Sequence, residues 1–143
     1  MKEFAGNPKI AIIFAGINDT ADLILVSNYH NVHETAGKQK LIAPHDVIMW
    51  TESNSRVPVV GMGAFLVEER GMFAVGASGF EQGEVAVRMA IELLDRGAIL
   101  KNIAQVMPRQ FLVCIRAPLM AEHQISLPPI YEAFARAANN YYE

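Results

Sequence analysis

An α/β fold, with a mainly parallel sheet between two layers of helices, is predicted by three observations. Short apolar runs rich in valine and isoleucine recur along the chain, each closed by polar or glycine residues. The segments between these runs carry helix signals, and one holds apolar residues at helical spacing. The chain has 143 residues, 52% apolar and 19% charged, which excludes disorder and provides a sizeable core. Strands alternating with helices imply parallel pairing. No repeat, low-complexity tract or linker-like stretch divides the chain, so residues 1–143 read as a single α/β domain.

The first element has two readings. Asn7-Pro8 is a good helix start, a capping side chain followed by proline at the first helical position. Lys9 to Phe14 is also β-branched enough to be a buried strand. Leu23 to Val26 follows Asp22 and is closed by Ser27-Asn28, so it reads as a buried strand running into a polar loop. Residues 27–43 read as loop with room for a short helix. Ala43-Pro44 then opens a helix through Val47, Ile48 and Trp50 that ends near Ser53-Asn54. Val57 to Val60 is a second strand, followed at once by Gly61-Met62-Gly63, and Phe73 to Ala77 is a third.

Phe80 to Arg96 is the clearest helix. Ala86, Met89, Ala90, Leu93 and Leu94 share one face, while Glu84, Arg88, Glu92 and Arg96 share another as solvated ion pairs. Gly97 is its stop. Gln110 to Ile115 is a fourth strand, Pro118 to Gln124 a short helix, and Pro128-Pro129 starts a last helix ending near Asn139-Asn140.

Composition excludes several functions. A formal net charge of -3 argues against nucleic-acid binding, which needs a basic excess. The single Cys114 excludes an intrachain disulfide and a multi-cysteine metal site. No apolar run reaches the length that spans a bilayer. Ile10 to Ile17 after Lys9 has the form of a short signal core, but Glu3, the polar Asn7-Pro8 and the lack of a small-x-small cleavage site in Asn18-Asp19-Thr20 speak against a signal peptide.

The chemical motifs are weak. Gly61-Met62-Gly63 follows a strand as a dinucleotide fingerprint would, but Leu66 stands where the third glycine belongs. A glycine pair of this kind otherwise marks a tight turn. No phosphate-cradling Gly-Lys-Ser/Thr occurs. His30, His33 and Glu34 give H-x-x-H-E, the wrong order for a zinc-protease helix, and read as surface loop. No serine lies in G-x-S-x-G. Cys114, between Val113 and Ile115, reads as an inert core thiol, and Glu68-Glu69 as a solvated loop. No metal, cofactor or catalytic residue is therefore expected, and the chain is not read as an enzyme.

In an α/β sheet, ligands sit beyond the carboxyl ends of the strands. Two loops qualify here: Ser27 to Asn31, and Gly61 to Phe65. Asn28 and Tyr29 would orient a small polar ligand by hydrogen bonds while Tyr29 or Phe65 stacks on it. A turn in which the asparagines bond their own backbone fits the same residues equally well.

From Asp22 to about Tyr131 the chain resembles a known family. The matching segments are ADLILVSNYHNV (Ala21 to Val32), SRVPVVGMGAFLV (Ser55 to Val67), GASGFEQGEVAVRMAIELLDRGAILKNI (Gly76 to Ile103) and FLVCIRAPLMAEHQISLPP (Phe111 to Pro129). They look like the C-terminal half of ABC-transporter substrate-binding proteins with a type I periplasmic-binding fold, loosely assigned to tryptophan, tyrosine or uncharacterised solutes. The E-Q-G helix start of Glu81-Gln82-Gly83 is the most specific part. Tyr29 departs from the second asparagine of many relatives, and Ile115-Arg116 stands where an asparagine is familiar before the last helices.

The resemblance implies that Asn28 and Tyr29 line a cleft, that Met62, Gly63, Ala64 and Phe65 line it from the next loop, and that Phe80 to Gln82 sit near a hinge. It implies a two-lobed clamp that binds a small polar or aromatic, amino-acid-like solute, hands it to a membrane permease, and works in the periplasm or another extracytoplasmic space. A ligand-sensing domain of a signalling protein and a small α/β enzyme are the rival readings. The apolar content of 52% also exceeds what one lobe would hide, so a homodimer is expected, with the helix Pro129 to Tyr141 as the exchanged or interfacial element.

Overall fold

The computed structural model describes residues 17, 19–33, 40–95, 99 and 105–143. Five strands, β1 (Ile24–Val26), β2 (Val59–Gly61), β3 (Phe73–Ala77), β4 (Phe111–Arg116) and β5 (Tyr141–Tyr142), form one sheet in the order β1-β2-β3-β4-β5. The pairs β1–β2, β2–β3 and β4–β5 are parallel, and β3–β4 is antiparallel. The helices are α1 (Pro44–Asn54), α2 (Phe65–Glu68), α3 (Gly79–Leu94), α4 (Ala117–Glu122) and α5 (Pro129–Ala137). The fold is thus the predicted α/β sheet flanked by helices. The segment 7–14, with its two readings, lies outside the described residues. The described part of 27–43 is non-helical, with an isolated bridge between His33 and Leu41.

Successive strand residues face opposite sides, which divides the core in two. On one face Val59, Ala74 and Cys114 pack against Val47, Ile48 and Trp50 of α1 and Leu66 and Val67 of α2. On the other, Val113 and Ile115 pack with Met72 against Met120 of α4 and Ala135 of α5. The register Ala74↔Cys114 and Val75↔Val113 keeps the two sets apart.

Local chemistry explains the element ends. Pro44 occupies the first turn of α1, where its missing N–H costs no helical bond. Ser78 caps α3 by accepting from the Glu81 amide at 3.3 Å, and Arg88 pairs with Glu84 one turn away at 2.8 Å. Asn139, with φ 57, takes the left-handed turn that ends α5.

Two expectations are corrected. The first strand is not buried: Leu25 is 59% exposed, because β1 is an edge strand and, among the described residues, no helix covers its second face. The helix α3 buries none of its residues, so Ala86, Met89, Ala90, Leu93 and Leu94 do not form a core face. The helix α5 packs on the sheet of its own chain through the fully buried Ala135. β5, immediately after it, pairs with β4 and anchors its far end.

Candidate functional site

Because β1, β2 and β3 run parallel, their carboxyl ends at Val26, Gly61 and Ala77 share one edge of the sheet. The loops that leave this edge carry the residues singled out by sequence. The Met62 amide donates to the Val26 carbonyl at 2.9 Å, which joins the first two loops at their roots.

Tyr29 turns inward and is 5% exposed. Its ring stacks on His30 with centroids 4.7 Å apart and leans on Phe65 at 5.8 Å. His30 meets Phe65 edge-on at 5.1 Å, which closes a three-ring cluster. The Tyr29 hydroxyl donates to the Glu69 carboxylate, and His30 Nε2 lies 3.6 Å from the same carboxylate. Burial, reinforced by that carboxylate, pushes the phenol well above the usual tyrosine range and keeps it a neutral donor.

Asn28 is exposed, and its Oδ1 accepts from the His30 amide at 3.1 Å. The self-bonded asparagine turn is therefore present beside the aromatic cluster. Met62 is exposed at the rim, and Ala64 packs half-buried against the core. At Gly63 a Cβ would meet the Phe65 ring at 2.2 Å, so any other residue here displaces that ring. Phe80 and Gln82 begin α3 near the same sheet edge, with both side chains exposed. Gln82 lines a separate cavity of about 350 Å³ with Val85, Met89 and Met107, which the three rings do not border. The structure thus joins Tyr29 to Phe65 and sets Gln82 apart.

Sequence reasoning missed the partnership of Glu69 with this loop. His30 lies in an exposed turn of the Ser27 to Asn31 loop and Glu69 is half-buried, and both join the cluster. The adjacency of His30 to Tyr29 was the available signal.

A second polar group lies at the opposite edge of the sheet. Glu52, Glu68, Arg70 and Arg116 border a cavity of about 610 Å³. Glu52 accepts from the Met72 amide at 2.8 Å, and its Oε2 lies 3.8 Å from His123 Nε2 without a hydrogen bond. Burial, helped by the charge of Glu122 and opposed by the Met72 bond, raises its carboxyl to about 7. Arg116 donates to the Val67 carbonyl at 2.7 Å and lies over the Tyr142 ring at 4.9 Å. Nothing in the spacing of these residues announces the group, because burial of a helical carboxylate is set by tertiary packing.

Cys114 is buried, and burial pushes its thiol up to about 11. Among the described residues no group of three or more His, Cys, Asp or Glu is placed to hold a metal ion. No described helix is long and apolar enough to cross a membrane.

No known protein family matches the chain, and no curated protein matches it. Solved structures do. One is a conserved domain protein from Vibrio cholerae O1 biovar El Tor, with TM-score 0.61 and 14% identity over 95% of this chain. Another is an ABC domain in complex with L-Trp from Streptococcus pneumoniae, with TM-score 0.59 and 16% identity over 89% of this chain. The chain spans 41% of the length of each. At these identities the likeness establishes the fold.

Proposed function

We propose that this chain binds a small polar or aromatic solute, amino-acid-like in size, and turns over nothing. The observation that carries the reading is the Tyr29–His30–Phe65 cluster at the carboxyl edge of β1 and β2, where ligands of α/β sheets sit. Such rings offer a stacking surface, and the exposed Asn28 beside them offers an amide for hydrogen bonds. The structural neighbour described as an ABC domain with L-Trp supports a ligand of this class. In this reading Met62 to Phe65 close one side of the cleft and Phe80 flanks it. A second lobe closes over the solute. The whole works as the substrate-binding component of an ABC transporter in an extracytoplasmic space, with a permease as its partner.

Thermal-shift screening and calorimetry against free amino acids test this. A solute at a hundred times its dissociation constant should stabilise the native chain by about 2.7 kcal/mol. Phe65→Ala should abolish that gain while the chain stays folded. Absence of stabilisation by every amino acid, or a hydrolytic or redox turnover that depends on His30 or Cys114, would overturn the reading.

A further inference from the structure

Two buried side-chain polar atoms among the described residues lack a hydrogen-bond partner, Oε2 of Glu52 and Nε of Arg116. Buried polar groups are almost always paired, because one left alone forfeits its solvation without compensation. Glu52 lies in the last turn of α1 and Arg116 at the end of β4. Far apart in the chain, both side chains nevertheless border one cavity of about 610 Å³, which Arg70 and Glu68 also line. Three connections meet around it: the end of α1, the turn from α2 into β3, and the passage from β4 into α4.

The bonds already made define what each group lacks. Glu52 Oε1 is taken, since it accepts from the Met72 amide at 2.8 Å. Oε2 is an acceptor on a side chain only 6% exposed, and His123 Nε2 at 3.8 Å is beyond hydrogen-bond reach. Arg116 is likewise half used. It donates through Nη2 to the Val67 carbonyl at 2.7 Å, and its guanidinium lies over the Tyr142 ring at 4.9 Å. Those contacts hold the guanidinium in place and leave Nε a donor without an acceptor.

A guest that satisfies both atoms carries a donor for Glu52 and an acceptor for Arg116. Arg70 adds a second guanidinium, and the planar guanidinium fork matches the oxygens of a carboxylate. Two guanidiniums face two carboxyl groups, which suits a guest that joins an acidic group to a donor. Met49 and Leu119 supply apolar wall. The volume, with a few convergent polar groups, is that of a small-molecule site.

We infer that this cavity is a second ligand site, and that it takes a small carboxylate with a hydroxyl or an ammonium beside the carboxyl group. The carboxylate faces Arg116 and Arg70, and the hydroxyl or ammonium donates to Glu52. The cavity lies at the opposite edge of the sheet from the Tyr29–His30–Phe65 cluster, and the inference does not rest on the solute reading.

The test is an NMR titration of the full chain at pH 8, above the value of about 7 at which Glu52 titrates. The probes are L-lactate for hydroxy acids, glycine for amino acids, and acetate, which has the carboxylate and no donor. Lactate or glycine should bind in about the millimolar range expected of so few atoms, and should shift the Met72 and Leu119 amides. The one that binds identifies the donor. Acetate should bind on the order of 10-fold more weakly. Glu52→Gln keeps an oxygen for the Met72 amide and turns an N–H toward the guest, so it should erase the preference over acetate. Arg70→Gln, at an exposed position, should weaken all three probes. No shift at Met72 and Leu119 with any probe up to about 50 mM, or a preference over acetate that survives Glu52→Gln, would overturn the site. Shifts confined to Tyr29 and Phe65 would also overturn it, and would leave the solute reading standing.

Discussion

The hydroxyl of Tyr29 donates to the carboxylate of Glu69, forty positions further along the chain. This bond ties the loop after β1 to the residue that ends α2. It also explains why an apparently polar loop carries a buried aromatic ring. The phenol can enter the core only because an acceptor waits for its proton.

Tyr29→Phe keeps the ring contacts with His30 and Phe65 and removes this bond. Glu69 is half-buried and regains some water, so the variant should lose about 1–2 kcal/mol. Urea denaturation should show a lower midpoint at unchanged slope. Tyr29→Ala, which also empties a buried site, should cost about 3–5 kcal/mol. Equal losses for the two variants would mean that ring packing contributes nothing.

Legibility of the fold followed the strength of local signals. Pro44 marked the start of α1, and β3 spans Phe73–Ala77 as the apolar run predicted. The second strand is shifted from Val57–Val60 to Val59–Gly61, since Pro58 has no N–H to donate. The helix α2, four residues with no side-chain cap, and β5, two residues long, gave no pattern to read. Strand direction is likewise invisible to periodicity, so the antiparallel β3–β4 pair was not anticipated. At the candidate site the loops were legible because they follow apolar runs. The partnership of Tyr29 with Glu69 was not, because it joins residues with no common local pattern.

Gly76→Ala should disturb the site from below. A Cβ there would come within 2.9 Å of the Met62 carbonyl oxygen and 3.0 Å of Gly63 Cα, both backbone atoms that cannot rotate away. The 62–63 loop must lift off β3, at a cost of about 1–3 kcal/mol. Thermal denaturation measures the loss. An unchanged melting temperature would show that this loop has slack the structure does not display.

Cys114 should be silent in the native chain. The thiolate is the reactive form, and a thiol at about 11 inside the core is almost wholly protonated at pH 8. A thiol reagent should modify it more than about a hundredfold slower in the folded chain than in denaturant. Rapid native labelling would place Cys114 in an opening segment instead of the core.

Glu52 gives the sharpest dependence on pH. Its carboxyl titrates near 7 in the folded chain, against an ordinary 4.5. Between those values the folded chain holds a proton that the unfolded chain has released. Stability therefore falls as pH rises through this window, because the unfolded state binds fewer protons. The contribution is complete below about pH 4.5 and lost above about pH 7, and linkage sets its size at roughly 3 kcal/mol. Glu52→Gln stays neutral throughout and keeps an oxygen for the Met72 amide, so it should lack this slope. The difference in unfolding free energy between variant and parent isolates the group from every other titration. It should rise in favour of Glu52→Gln from pH 4.5 to 7 and stay level from pH 7 to 8. A difference that runs the other way would mean that a protonated His123, 3.8 Å from Oε2, holds the carboxylate charged and that the pair is ionic across this range.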